Sequence, residues 1–164
     1  MNRSRWWVIA DTHFGHTKLS EICGRPADFS EKIISNMERM IKPEDTLIHL
    51  GDVTWGKIPK FPCKTILVKG NHDFDTCKYY MNHGFDFACS SFTMTYGGVD
   101  ILFTHKPAIF HEHDLNVHGH LHNVGKIESV CPHYLVALEY THYQPILLDA
   151  ILALYRKEHE DDKS

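Results

Sequence analysis

The sequence contains no apolar stretch long enough for a membrane span. Its longest, Ile146 to Tyr155, is interrupted by Asp149 and falls well short of the roughly 18 residues required. No secretory segment is visible, because the run Trp6–Ala10 is short and Asp11 breaks it. The five cysteines (Cys23, Cys63, Cys77, Cys89, Cys131) are odd in number and form no CxxC pair. The expected compartment is therefore the reducing cytoplasm, with free thiols. Basic excess is also missing: 17 Lys plus Arg face 21 Asp plus Glu, a formal charge of −4, which argues against non-specific binding along duplex nucleic acid. Repeats, low-complexity tracts and Pro/Gly-rich linkers are absent, so the reading is one domain, 1–164.

What the chain does have is histidine, 14 of them, scattered rather than in a run. Histidine is the commonest metal ligand and titrates near neutral pH. The apolar pattern places many of these histidines. Trp6–Ala10, Thr46–Leu50 and Thr65–Lys69 read as buried strands, the last two stopped by Gly51 and Gly70. Ser30 is expected to cap a helix carrying Ile33, Ile34, Met37, Met40 and Ile41, which Pro43 ends. Asp75–Asn82 is expected as a short helix. Ser91–Tyr96 and Val99–Thr104 are expected as a hairpin turning at Gly97-Gly98. Strands at Leu115–His118 and Tyr134–Glu139 follow, then a helix from Pro145 towards Glu158 and a solvated tail at Glu160–Lys163. Strands alternating with helices, then mostly strands, predict an α/β sandwich of two sheets flanked by helices.

Polar residues gather at the ends of these strands: Asp11-Thr12-His13, Gly51-Asp52, Gly70-Asn71-His72-Asp73, Thr104-His105 and His118-Gly119-His120-Leu121-His122. Singly, an Asp-x-His or a Gly-Asp is an ordinary turn. Together, five such ends can converge on one crevice at the carboxyl edge of a sheet. His120 and His122, two apart, would point to one side of an extended segment, as ligands of neighbouring ions would. Asp11, His13, Asp52, Asn71, His105, His120 and His122 make seven candidate ligands, too many for one tetrahedral ion and suited to two ions sharing a carboxylate. Carboxylates, imidazoles and one amide, without thiolate, favour Mn²⁺, Fe or Zn²⁺.

In this order the five blocks resemble those of the calcineurin-like metallophosphoesterase superfamily, over Asp11 to His122. Asp11-Thr12-His13-Phe14-Gly15-His16, Arg25-Pro26 and the ending Glu139…Tyr143-Gln144-Pro145-Ile146 resemble its small, cap-less bacterial and phage members. The resemblance implies a four-layer α/β/β/α sandwich of two mixed β-sheets flanked by helices. It implies that Asp11, His13 and His122 bind one divalent ion, that Asn71, His105 and His120 bind a second, and that Asp52 bridges them. The ions expected are Mn²⁺ first, with Fe, Zn²⁺ or Ni²⁺ as substitutes.

By the same analogy His72 faces the substrate, as proton donor or charge stabiliser. Asp73 is expected to fix its tautomer or to cap the next helix. Arg25 and His16 are expected to contact substrate, Arg25 by gripping a phosphate bidentately. His118 is read as standing behind the ligands, and the remaining histidines as structural or surface residues. The implied function is hydrolysis of phosphodiesters, such as 2′,3′-cyclic nucleotides or nucleic-acid ends, and of phosphomonoesters, through a metal-bridging hydroxide. The alternative is a non-catalytic metal-binding scaffold on the same fold. Expected partners are a small phosphoester or short nucleic acid, with no membrane.

Overall fold

A computed structural model of the chain describes residues 4–123, 129 and 131–160. In chain order the elements begin with strand β1 (Trp6–Ile9), helices α1 (Leu19–Cys23) and α2 (Phe29–Met40), and strands β2 (Thr46–His49) and β3 (Lys64–Val68). Helix α3 (Cys77–Asn82), strand β4 (Phe87–Cys89), the hairpin β5 (Ser91–Tyr96) and β6 (Val99–Thr104), and strand β7 (Leu115–His118) come next. Strands β8 (His133–Leu135) and β9 (Ile146–Leu147) and helix α4 (Leu148–Glu160) complete the series.

The strands form two mixed sheets, ordered β4-β3-β2-β1-β9 and β5-β6-β7-β8. In the first, β1 to β4 are parallel and β9 runs antiparallel along the edge of β1. Both faces of its inner strands are apolar, the pattern of a sheet covered on both sides. Trp7, Ile9, Leu47 and Leu67 share a core with Leu19, Phe29, Ile33 and Met37 from α1 and α2 and Tyr80 from α3. The alternate residues Val8, Ile48 and Val68 meet Ile101, Phe103, Leu115 and Val117 of the second sheet, together with Leu148, Ile151 and Leu152 of α4. The chain is therefore α/β, with two mixed sheets and helices.

Several boundaries differ from expectation for identifiable reasons. Helix α2 starts at Phe29, two residues earlier than a Ser30 cap would allow, and Ser30 Oγ accepts from Gly15 N–H at 3.4 Å instead. Helix α3 starts later than Asp75, where Thr76 Oγ1 accepts from Tyr79 N–H at 3.2 Å. Ile146 and Leu147 pair with Val8 and Trp7 before the last helix begins, because β1 would otherwise present an unpaired edge. Strand β8 ends at Leu135, since its partner β7 leaves the sheet at Gly119; Val136 N–H to His118 O, 2.7 Å, is the last rung. The hairpin forms as expected, with Gly97 and Gly98 both at positive φ, as a type I′ turn requires. Of the expected tail, Glu160 closes α4 and 161–163 lie outside the described residues. Among the described residues, no helix is long and apolar enough to cross a membrane.

Candidate metal centre

Pairing between β1 and β2 does not stop where the strands do. Asp11 N–H donates to Gly51 O at 3.0 Å, His13 N–H to Asp52 O at 2.9 Å and Phe14 N–H to Val53 O at 3.0 Å. Two loops rich in polar residues are thereby locked to each other. Within them Asp11, His13 and Asp52 adopt left-handed φ of 52°, 44° and 56°, and His120 and His122 join them at 71° and 49°. For residues with a side chain each such conformation costs on the order of 1–3 kcal/mol. His120 and His122 are thus not on an extended segment. The left-handed turns, rather than strand alternation, send their rings to different neighbours.

Those neighbours form two sets. Ligand atoms of Asp11, His13 and His122 lie within 4.8 Å of one another, and so do those of Asp52, His105 and His120. Asp52 Oδ2 stands between the sets, 3.5 Å from His13 Nε2 and 3.4 Å from His105 Nε2. Asn71 Oδ1 is 3.0 Å from His105 Nε2, which is 3.2 Å from His120 Nδ1. All seven expected ligands are therefore together. Close backbone approach makes this feasible at two glycines: a Cβ on Gly70 would collide with the Asp52 carboxylate, and one on Gly119 with that of Asp11.

The residues fit divalent cations. Asp11 Oδ1 is buried and has no hydrogen-bond partner among the described residues, yet it lies 3.9 Å from His13 Nε2 and 4.0 Å from His122 Nε2. Atoms about 2.0–2.2 Å from a shared ion stand roughly 3–4 Å apart. Burial raises the Asp11 carboxyl to about 6, with Asp52 adding to the rise against His105, His122 and the His120 N–H. Burial likewise lowers His13 to about 2, helped by His122, Arg25, His72 and His16, and lowers His120. Burial thus favours the neutral form of His13 and His120, the form in which imidazoles ligate metals.

Ring orientation is fixed from behind. His105 Nδ1 lies 2.7 Å from Leu50 O, so Nδ1–H donates there and Nε2 faces the site. His122 Nδ1 lies 3.1 Å from Glu139 Oε1, which leaves its Nε2 towards Asp11. Glu139 accepts from Arg25 Nε at 2.8 Å. Burial alone would raise Glu139, but the bonds to His122 and the Arg25 charge hold it down at about 2. Such outer partners set tautomer and ligand basicity.

Arg25 thus departs from its expected role. It is 1% exposed, its guanidinium lies over the Phe29 ring and against Thr12 O, and it is spent on Glu139 and the His122 edge rather than offered to a phosphate. Asp73 is also placed differently. Its oxygens accept from the N–H groups of Asp52 (2.8 Å), Val53 (3.1 Å) and Gly70 (2.7 Å), tying the β2 and β3 loops together, and they leave the His72 ring alone. His72 does sit at the site: its side chain is 39% exposed, with Nε2 4.0 Å from Asp52 Oδ2 and its N–H on Asp52 Oδ1 at 2.9 Å. His16 lies at the rim, its ring 5.8 Å from that of His13.

Two residues at the site escape sequence reasoning. Glu139 becomes a partner of His122 only through a turn after β8, and no local spacing announces it. Trp55 is 52% exposed and packs its ring between His16 (4.7 Å) and His72 (5.2 Å), with Nε1 3.3 Å from His13 Nδ1. An aromatic residue three positions after Asp52, in a Gly-containing loop, was the available signal.

The chain is 23% identical to an uncharacterised protein of Methanocaldococcus jannaschii, over 96% of this chain and 94% of the relative. The crystal structure of a protein of unknown function from Aquifex aeolicus is similar with a TM-score of 0.77 at 28% identity, covering 93% of this chain and all of that one. Residues 5–142 match the calcineurin-like phosphoesterase superfamily domain, and the chain belongs to that superfamily.

Proposed function

We propose that the protein is a metal-dependent phosphoesterase with a two-ion centre, acting on phosphodiesters such as 2′,3′-cyclic nucleotides or nucleic-acid ends, and on phosphomonoesters. The observation that carries this reading is Asp52 Oδ2, set 3.5 Å and 3.4 Å from imidazoles of two separate donor sets. When bound, a pair of divalent ions would supply Lewis acidity to activate water and clamp phosphoryl oxygens. Asp11, His13 and His122 would hold one ion, Asn71, His105 and His120 the other, and Asp52 both. Leu50 O and Glu139 keep the His105 and His122 rings turned inward. His72, the exposed imidazole beside Asp52, is assigned the proton for the leaving oxygen. Asp73 and Arg25 enter as positioning residues, through the backbone of Asp52 and through Glu139 respectively.

Mn²⁺ is the proposed ion, given the imidazole-rich donors. The reading extends to a single domain over 1–164, a cytoplasmic setting and a short or small substrate rather than duplex nucleic acid. The four-layer α/β/β/α order belongs to the same proposal. It is supported by the two cores on either face of the first sheet and depends on α4 for its fourth layer. The test is a panel of aryl mono- and diesters, cyclic nucleotides, nucleotides and short oligonucleotides assayed with Mn²⁺, with Mg²⁺ and in chelator. Turnover that chelation abolishes and Mn²⁺ restores better than Mg²⁺ is expected. Metal binding without turnover of any ester would instead favour the non-catalytic scaffold.

A further inference from the structure

Beside the metal centre lies a cavity of about 300 Å³ to which the chemistry above assigns nothing. Its lining includes His16, Thr17, Pro26, Phe29, Ser30 and Glu31. His16 joins it to the centre, with its ring 5.8 Å from that of His13 and a buried Nδ1 that has no hydrogen-bond partner among the described residues. Pro26 and Phe29 give the cavity an apolar floor; Ser20 Oγ donates to Thr17 O at 3.2 Å, while three other polar side chains in the lining have capacity to spare. Ser30 Oγ accepts only a long bond from Gly15 N–H, 3.4 Å, and its own proton is uncommitted. Among the described residues, the Thr17 hydroxyl and the Glu31 carboxylate make no hydrogen bond or ion pair.

Charge narrows the occupant. Among the described residues no lysine or arginine lines the cavity, so a second phosphate would meet Glu31 with nothing to balance it. A plain alkyl group would bury the hydroxyls and the carboxylate without partners, which is costly. An uncharged body with a flat apolar side and several hydroxyls satisfies every group present, at a volume within the range of small-molecule sites. We infer that this cavity binds the leaving half of the ester and that this half is a ribonucleoside joined through its 5′ oxygen, as at a nucleic-acid end rather than in a 2′,3′-cyclic nucleotide, its free sugar hydroxyls donating to Glu31 and meeting Ser30 and Thr17, its base lying on Pro26 and Phe29. The inference rests on the phosphoesterase reading and adds to it the identity of the leaving group.

Because the cavity requires no metal and no turnover, the test uses neither. The full chain in chelator is titrated with adenosine, with 2′,3′-dideoxyadenosine and with inorganic phosphate, and backbone amide shifts are followed by NMR. Adenosine is expected to move Gly15–Ser20 and Ala27–Glu31. Dideoxyadenosine should bind about tenfold more weakly, the loss expected for hydroxyls donating to a carboxylate. In Glu31→Gln and Ser30→Ala, both on exposed or half-exposed positions of α2, that preference should shrink together with adenosine affinity. Absence of shifts at millimolar adenosine, an unchanged preference in Glu31→Gln, or equal shifts with phosphate alone would each overturn the inference. Separately, adenosine should compete with a nitrophenyl phosphoester in the Mn²⁺-loaded enzyme. Shifts without any esterase activity would sink the phosphoesterase reading and leave the nucleoside site; activity without shifts would do the reverse.

Discussion

Asp45 and Asp11 are both 1% exposed and lie at opposite ends of the parallel strands of the first sheet, and they are treated in opposite ways. Asp45, at the amino end, accepts from Arg5 N–H (2.9 Å), Arg5 Nη2 (3.0 Å), Trp7 Nε1 (2.9 Å) and Lys42 N–H (3.0 Å). Burial alone would raise its carboxyl, but these donors hold it well below the ordinary range. Asp11, at the carboxyl end, has one oxygen on His120 N–H (2.8 Å) and the other on no described residue, and burial raises it to about 6. A buried carboxylate whose protein partners are complete stabilises the fold. One left incomplete, and ringed by imidazoles, is complete only with a cation. The same residue type thus does structural work at one end of the sheet and awaits a ligand at the other.

The largest effect should come from removing the incomplete carboxylate. Asp11→Asn is expected to lose the ion shared with His13 and His122 and to reduce turnover by roughly three orders of magnitude, beyond the ten- to hundredfold of an outer-shell change. In chelator the variant should unfold at no lower temperature than the parent. Because the folded carboxyl is raised from 3.8 to about 6, its contribution to stability is present at low pH and lost as pH rises across that window. Calorimetry should therefore show a decline between about pH 4 and pH 6 in the chelated parent that the variant lacks. A variant that still binds two ions per chain by elemental analysis would undo the contrast.

His72→Ala comes next. It should keep both ions while the chemical step slows by about a hundredfold to ten-thousandfold. The loss should shrink for nitrophenolate leaving groups, which need no proton. Equal losses for good and poor leaving groups would reassign the ring to charge stabilisation on the phosphoryl oxygens.

Smaller again is Glu139→Gln, which should weaken the ion on the Asp11 set about ten- to hundredfold and leave the Asp52 set alone. A two-step Mn²⁺ titration would separate the two sites; equal weakening of both would mean that Glu139 does not act through His122.

The smallest effect on activity, and none on metal, belongs to Asp45→Asn. Its cost should appear as about 2–3 kcal/mol of unfolding free energy in urea, the range for charged hydrogen bonds. A depressed carboxyl contributes above its unfolded value, about 3.9, and loses that contribution as pH falls. The parent should therefore lose stability on acidification below about pH 4 more steeply than the variant. A metal-binding defect in Asp45→Asn would erase the distinction between the two ends of the sheet.

Much of this was written locally in the chain. Trp6–Ala10, Thr46–Leu50 and Thr65–Lys69 announce buried strands because both faces are apolar, and Gly97-Gly98 dictates its turn. The ligands stand out because each closes a strand. The remainder depends on residues far apart. Arg25 reads as a grip for a phosphate until Glu139, 114 positions away, is folded against it. Asp73 reads as a partner for its neighbour His72, but the amides of Asp52 and Val53, about twenty residues upstream, claim it first. Strand β9, with two residues, has no pattern of its own and exists only because β1 offers an edge.

The left-handed backbone at Asp11, His13, Asp52, His120 and His122 bears on engineering. Copying these side chains onto idealised strand ends would reproduce the composition of the centre without its geometry, since unstrained loops aim them elsewhere. The transferable unit is the interlocked pair of loops with Gly70 and Gly119 at their contacts. A designer would have to install the unfavourable conformations first and choose the donor atoms second.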